Sequence, residues 1–367
     1  MSTVVIAPDS FKGSASNSDV AKWIAEGWKA VRPHDKLVLI PMADGGEGSI
    51  STITGVRDDV DTFTVSVVGA DGGSNRAQWI LLDDGTAIVE LASACGITSM
   101  NALDPLNAHT YGLGQVLNDV RQNPEVERIA IALGGSGSTD GGTGALRALG
   151  FGFYDGYGDE IPLGGDGLNE LVEIETTNFV KPPRGGVVCW IDVSNPLVGE
   201  QGAAAVFGPQ KGANEDEIII LEDGLKNFMK VCKVPDAAGS GAAGGTAYGL
   251  RAGWGATYVA GSAAIAAIVG LPEAIAAADF VITGEGRLDH QSFSGKVVGY
   301  VRQVSAALGK PVGYCVGSSL MEFPGDGIGG RSLVELSGSV EAAMSDPRTW
   351  IIEAGKELAQ AVSAING

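Results

Sequence analysis

The chain has 367 residues, 44% of them hydrophobic and 56 of them glycine, with a formal net charge of −20. At about 100–200 residues per domain this length reads as two domains, and glycines without a fixed period exclude collagen. So acidic a chain repels nucleic-acid phosphates and anionic lipid, so neither is expected as a partner, and an anionic substrate must be held by backbone N–H groups, a few placed cations and Mg2+.

Val4 to Ala7 is a β-branched run, followed by the loop Pro8-Asp9-Ser10-Phe11-Lys12-Gly13. A helix starts near Ser16, with Asp19 three residues on as a loose capping box. Val20, Ile24, Trp28 and Val31 recur at helical spacing, and Pro33 ends the helix. Leu37 to Ile40 is the second strand, leading into Asp44-Gly45-Gly46-Glu47-Gly48. The middle of the chain reads as antiparallel strands at Thr62–Val68, Arg76–Leu82 and Thr86–Leu91. A helix near Tyr111–Val120, a strand Arg128–Leu133, a helix at Gly144–Leu149 and a strand Val187–Ile191 follow. The Gly/Ala-rich stretch 237–267 reads as tight turns feeding a close-packed helix. Toward the end come a strand Phe280–Thr283, a helix from Ser294 to Leu308, a strand Val312–Val316, a short strand Leu333–Leu336 and a helix Trp350–Ile365.

Two strands at the front and three at the back make one doubly wound parallel sheet of flavodoxin type. The expected architecture is therefore a discontinuous α/β domain, residues 1–57 plus 270–367. A second α/β domain with a mixed sheet, residues 58–269, interrupts it, and the cleft between them is the expected site. Cys95, Cys189, Cys232 and Cys315 lie far apart with no C-x-x-C, which predicts a reduced, cytoplasmic protein. MSTVVIAPDS lacks the pattern of a signal peptide, and no apolar stretch is long enough to span a membrane. Monomer and homodimer both remain open.

The chemistry-bearing residues cluster after strands, where ligands of parallel sheets sit. After the first strand, Lys12 can reach a phosphate while Asp9, beside Ser10, binds metal or orients substrate; a solvated turn explains the same residues. Asp44 and Glu47 flank a glycine pair and suit Mg2+, which takes one or two carboxylates plus phosphate oxygens and water; they also fit a capped helix start, and both can hold. Gly134-Gly135-Ser136-Gly137-Ser138-Thr139-Asp140 follows an apolar strand, and successive N–H groups there form an anion nest. Asp192, ahead of Asn195-Pro196, is a candidate base or metal ligand, and Lys211 stands in the loop Gly208-Pro-Gln-Lys211-Gly212. In Gly284-Glu285-Gly286-Arg287-Leu288-Asp289 … Gly295-Lys296, Arg287 can fork onto a carboxylate or phosphate, with Glu285 and Asp289 as ligands or bases. The P-loop and protein-kinase signatures are missing, and His34, His109 and His290 lack zinc spacing. Gly239-Ser-Gly241-Ala-Ala-Gly244 matches a dinucleotide fingerprint without a preceding strand.

Four stretches together resemble the bacterial glycerate kinase family: VVIAPDSFKGS with IPMADGGEGS, GGSGSTDGGTGALRALG, DVSNPLVGEQGAAAVFGPQKGA and DFVITGEGRLDHQSFSGK. The resemblance covers about residues 3–318. It departs from the family pattern at Gly137-Ser138-Thr139, where Ala-Thr-Asn is usual, at Ile191 for Cys, and at Glu200 for Pro. It implies Mg-ATP-dependent phosphorylation of D-glycerate, with 2-phosphoglycerate favoured over 3-phosphoglycerate.

The expected roles follow from phosphoryl transfer. Asp44, Glu47 and Asp192 hold Mg2+. Lys12 and Lys211 contact the transferring phosphate. Gly134, Gly135, Ser136, Ser138 and Asp140 cradle ATP. Arg287 clamps glycerate, with Asp289 or Asp192 as base and Asp9, Ser10, Asn195 and Glu285 around the substrate. Competing readings are a kinase for another small hydroxy acid or polyol, a nucleotide sensor without turnover, and a nicotinamide-dependent oxidoreductase resting on Gly239–Gly244.

Overall fold

The computed structural model describes residues 1–293, 296–325 and 327–365. Ser294, the predicted start of a helix, and Gly295 of the Gly295-Lys296 pair lie outside the described residues. In chain order the front of the molecule holds β1 (Thr3–Pro8), α1 (Asn17–Val31), β2 (Lys36–Leu39) and α2 (Ser49–Thr54). The middle holds β3 (Asp61–Val68), β4 (Ser74–Leu81), β5 (Thr86–Glu90), α3 (Leu91–Cys95), α4 (Tyr111–Gln122), β6 (Arg128–Ala132) and α5 (Thr143–Ala148). It continues through β7 (Gly152–Tyr154), β8 (Glu173–Glu175), β9 (Val187–Ile191), α6 (Ala203–Phe207), α7 (Glu215–Cys232), α8 (Thr246–Trp254) and β10 (Thr257–Ala260). The final part holds α9 (Gly261–Ile268), α10 (Leu271–Ala277), β11 (Phe280–Gly284), β12 (Arg287–Leu288) and α11 (Val297–Ala307). It ends with β13 (Val312–Val316), β14 (Ser318–Ser319), β15 (Gly327–Ser332), α12 (Leu333–Ser337), α13 (Val340–Ser345) and α14 (Pro347–Ile365).

The chain divides into two compact units: Met1–Asp44, Ser51–Asp58 and Ser262–Gly367 in the first, Gly45–Ile50 and Asp59–Gly261 in the second. In the first unit five strands run parallel in the order β15-β13-β11-β1-β2. Numbered by first appearance, that is the flavodoxin-type order 2-1-3-4-5, whose switch point falls between β1 and β11. β1 is buried along nearly its whole length, as a central parallel strand covered on both faces must be. Alternation along β13 shows both layers: Cys315 faces the cluster built with Ile24, Trp28, Ile351 and Leu358 of α1 and α14, while Val312, Tyr314 and Val316 face Val298 of α11. Helix α1 begins where the Ser16 hydroxyl accepts the Asp19 N–H at 3.1 Å.

The expected last strand at Leu333–Leu336 is corrected by the structure: those residues form α12, and the fifth strand is Gly327–Ser332. GIGGRS offers almost no strand propensity, and its place at the sheet edge comes from backbone pairing with β13.

In the second unit a six-stranded mixed sheet has the order β10-β9-β6-β5-β4-β3, with β3, β4 and β5 antiparallel and the rest parallel. Helix α7 starts with a full capping box between Asn214 and Glu217. The segment before Gly239 follows α7 and contains no strand, so the Gly239–Gly244 run lacks the context of a dinucleotide fold. Among the described residues no helix is long and apolar enough to cross a membrane.

Candidate active site

In the first unit, loops at the carboxyl ends of adjacent strands close around a 510 Å³ pocket. Backbone bonds fix those loops. The Asp9 N–H donates to the Gly284 carbonyl at 2.8 Å, and the Met42 N–H donates to that of Pro8 at 2.8 Å. Asn17 ties the segment ahead of Asp44 in place, its amide donating to the Met42 carbonyl at 2.7 Å and to the Thr52 hydroxyl at 2.6 Å. After β11 the chain crosses β13: the Gly317 N–H donates to the Glu285 carbonyl at 3.0 Å and the Ser318 N–H to that of Gly286 at 3.0 Å. Gly284 and Gly317 permit the crossing, because a Cβ at either would collide with the backbone of Cys315 or Gly286.

Asp9, Ser10, Lys12, Asp44, Glu285, Arg287 and Asp289 all line this pocket. The buried Phe11 ring anchors a turn, closed by the Phe11 N–H on the Ala15 carbonyl at 2.9 Å, that leaves Lys12 exposed. The Lys12 ammonium stands 3.8 Å from the Asp44 carboxylate, and the Arg287 guanidinium 3.6 Å from that of Asp289. Both cations are largely in solvent, at 84% and 64% side-chain exposure, so these ion pairs are weak and open to exchange for an anionic ligand. Burial, and after it the neighbouring Asp44 charge, push the Asp9 carboxyl up to about 7. Burial likewise raises Glu285. Crowded carboxylates of this kind fit a divalent cation, whose charge offsets both their burial and their mutual repulsion.

Several lining residues carried no role in the sequence: Ser14, Gln291 and the apolar row Leu333, Val334, Val340, Ala343 and Met344 from α12 and α13. The apolar row gives no chemical signal of its own, and two of its five residues, Leu333 and Val334, lie where a strand was expected.

The remaining sequence-predicted residues belong to the second unit. Glu47 accepts from the Thr98 hydroxyl at 3.4 Å, and Asp192 is half-buried at the end of β9. Glu90, which sequence reasoning missed, orders the Gly45–Ile50 turn: its carboxylate accepts the Gly48 and Ile50 N–H groups, each at 3.1 Å. A buried strand that ends in a carboxylate, TAIVE, was the available signal.

The glycine-rich loop after β6 differs from an open anion nest. The Gly137 N–H is engaged by the Cys95 carbonyl, that of Ser138 by the Ser136 hydroxyl, and that of Gly141 by the Gly244 carbonyl. Asp140 is fully buried and accepts from the Thr110 N–H at 2.8 Å, the Thr110 hydroxyl at 2.7 Å, and the Gly142 and Gly144 N–H groups at 3.1 Å. Ser136 and Ser138 are buried beside it, and the exposed part of the loop is Gly134–Gly135. The Lys211 ammonium, expected on a phosphate, is buried and donates to the Ser138 carbonyl. Burial lowers it to about 8, against the opposing pull of Asp140. These side chains shape the loop from within, because a short polar chain next to a crowded glycine turn finds backbone partners before solvent. The Asn195 amide is similarly engaged, donating to the Gln201 carbonyl at 2.8 Å. Among the described residues no group of three or more His, Cys, Asp or Glu is arranged to hold a metal ion.

Comparison with known proteins bears on what these sites serve. The model of the "Glycerate kinase family" matches residues 4–363. "Glycerate 2-kinase" of Escherichia coli K12 is 38% identical over 321 residues, covering 84% of this chain and 83% of that protein. "Glycerate kinase" of Halalkalibacterium halodurans is 38% identical over 330 residues, covering 87% and 86%. A crystal structure from Salmonella typhimurium LT2, described as a candidate glycerate kinase 2, superposes with a TM-score of 0.79 at 31% identity, covering 100% of this chain and 99% of that one. The chain belongs to the glycerate kinase family of phosphotransferases.

Proposed function

We propose that this protein transfers the γ-phosphoryl group of ATP to D-glycerate with the help of Mg2+, giving 2-phosphoglycerate in preference to 3-phosphoglycerate. One observation carries the reading beyond family membership. At the switch point of a parallel sheet, two exposed cations, Lys12 and Arg287, line the same pocket as the carboxylates of Asp9 and Asp44. The preference for the 2-position rests on the name of the E. coli relative.

Phosphoryl transfer asks the protein mainly for position and charge neutralisation. Asp44, with Asp9 beside it in the pocket of the first unit, would hold the metal. Bound Mg2+ neutralises phosphate charge that developing transfer would otherwise concentrate. Lys12 meets the transferring oxygens, and its length and exposure let it leave Asp44 for them. Arg287 clamps the glycerate carboxylate, and Asp289 orients that guanidinium or takes the hydroxyl proton. Gly135 offers backbone to a phosphate, the Gly134 N–H being turned to the Gly45 carbonyl at 3.5 Å, while Ser136, Ser138, Asp140 and Lys211 keep that backbone in shape.

A coupled assay of ADP release with D-glycerate, L-glycerate, glycerol and dihydroxyacetone, followed by phosphorus NMR of the product, tests the reading. Turnover on D-glycerate with a 2-phosphate signal is expected. Turnover only on glycerol or dihydroxyacetone would overturn the substrate, and a 3-phosphate signal the regiochemistry.

A further inference from the structure

The pocket of the first unit has two unlike sides. Strand-end loops supply its charges, and α12 with α13 supplies Leu333, Val334, Val340, Ala343 and Met344. Glycerate is polar at every carbon and has no use for that second side. Nor does it need 510 Å³, a size within the range of about 300–1,000 Å³ that takes drug-sized ligands. Val340 and Met344 stand four residues apart on α13, and so share one face of the helix. They are 57% and 54% exposed in a chain of net charge −20. Ala343 between them is buried and fixes the helix against its unit. Exposed apolar side chains at the edge of a charged pocket mark a ligand surface, and a methionine adapts its shape to a flat ring.

A second observation lies on the charged side. Glu285 is only 8% exposed and lines the pocket, yet its Oε1 has no hydrogen-bond partner among the described residues. A buried carboxylate oxygen left in that state awaits a donor.

Resting on the kinase reading above, we infer that this pocket takes the nucleoside half of the nucleotide: the base lies on the Val340–Met344 face of α13, and Glu285 accepts a hydrogen bond from a ribose hydroxyl. The triphosphate then extends toward Lys12 and Lys296 on the charged side. Of the two substrates, only the nucleotide has a flat, weakly polar part to fill the apolar side and a vicinal diol to meet the carboxylate.

Calorimetric titration of the full chain in Mg2+ with ATP, 2′,3′-dideoxy-ATP and inorganic tripolyphosphate tests the inference. The double variant V340S/M344S should lose about tenfold in ATP affinity, as expected for exposing one face of a ring, while tripolyphosphate binds as to the wild type. E285A should weaken ATP but leave dideoxy-ATP unchanged. Thermal melting confirms that each variant is folded; should E285A melt early, E285M, which keeps the bulk but has no oxygen acceptor, carries the same comparison. ATP binding that is unchanged in V340S/M344S, or that falls in step with tripolyphosphate, would overturn the base site. Equal losses of ATP and dideoxy-ATP in E285A would overturn the ribose contact. If the wild type turns over D-glycerate with ATP while these comparisons fail, the subsite alone is wrong; if the wild type binds no ATP, the kinase reading falls with it.

Discussion

Replacing Asp9 by Asn should make the metal-free protein more stable at pH 8 while cutting its activity. Burial and the Asp44 charge raise the Asp9 carboxyl from 3.8 to about 7 in the folded chain. The unfolded chain ionises this group near pH 4, the folded chain only near pH 7. Between those limits the folded state holds more protons, so its stability falls as pH rises and stays reduced above pH 7. At about 1.36 kcal/mol per tenfold, the interval amounts to about 4 kcal/mol against the ionised form. Solvent reaches this half-buried side chain, which leaves about 2 kcal/mol as the measurable part. Urea unfolding in EDTA at pH 5 and pH 8 provides the assay. The wild type should lose about 1–2 kcal/mol more than Asp9→Asn across that range. Adding Mg2+ at pH 8 should then restore the wild type and do little for the variant, since a cation bound only by the folded state stabilises it. Parallel pH profiles, or equal stabilisation of both proteins by Mg2+, would refute the picture of a strained carboxylate pair facing a metal.

Lys12→Ala should lower turnover by about 10²–10³-fold, the cost of removing one donor aimed at developing charge, and near-normal turnover would remove Lys12 from the chemistry. Arg287→Lys keeps the charge but loses the planar fork, so the glycerate KM should rise more than the ATP KM; equal rises would contradict a carboxylate clamp. Gly284→Ala puts a Cβ into the Cys315 carbonyl, and urea unfolding should show about 1–3 kcal/mol of lost stability, as for overpacking. Lys211→Met should remove a stability gain between about pH 8 and pH 10.5, where the folded wild type holds fewer protons than the unfolded chain. A Lys211→Met variant with the wild-type alkaline profile would mean that the ammonium is not buried in the loop.

The sequence made the parallel sheet legible where strands are apolar and buried on both faces, as in β1, β11 and β13. It failed at β15 because that strand offers a single apolar side chain, Ile328, to the core, and the largely apolar run beside it, Leu333–Leu336, fits either period when so short. The site loops were legible because glycine next to Asp, Glu or Lys after a strand is a local pattern. What such a pattern cannot convey is the direction of a side chain. Lys12 and Lys211 stand in similar glycine-bounded turns, yet one is in solvent and the other is folded back onto the Ser138 carbonyl. That choice depends on Asp140 and on glycines distant in the chain. Glu90 and the α13 face escaped for a related reason, since each matters through what tertiary packing sets opposite it.

The charge balance of the pocket has a consequence for how substrates enter. Asp9, Asp44, Glu285 and Asp289 face Lys12, Arg287 and Lys296 in a chain of net charge −20. Four carboxylates against three cations leave no positive excess to attract a bare triphosphate. On the proposed reading, free ATP meets like charge on approach, and Mg2+ arrives with the nucleotide or ahead of it. A site built this way would discriminate by ligation state: the magnesium complex carries fewer negative charges and brings a further cation to Asp9 and Asp44. Binding of ATP titrated in EDTA should accordingly be far weaker than in Mg2+, and should improve as Asp9 is neutralised by falling pH or by Asp9→Asn. With Mg2+ present the same substitution should weaken ATP. That reversal of sign separates an electrostatic gate from a simple loss of contact, because a residue that merely shaped the pocket would move both affinities in one direction.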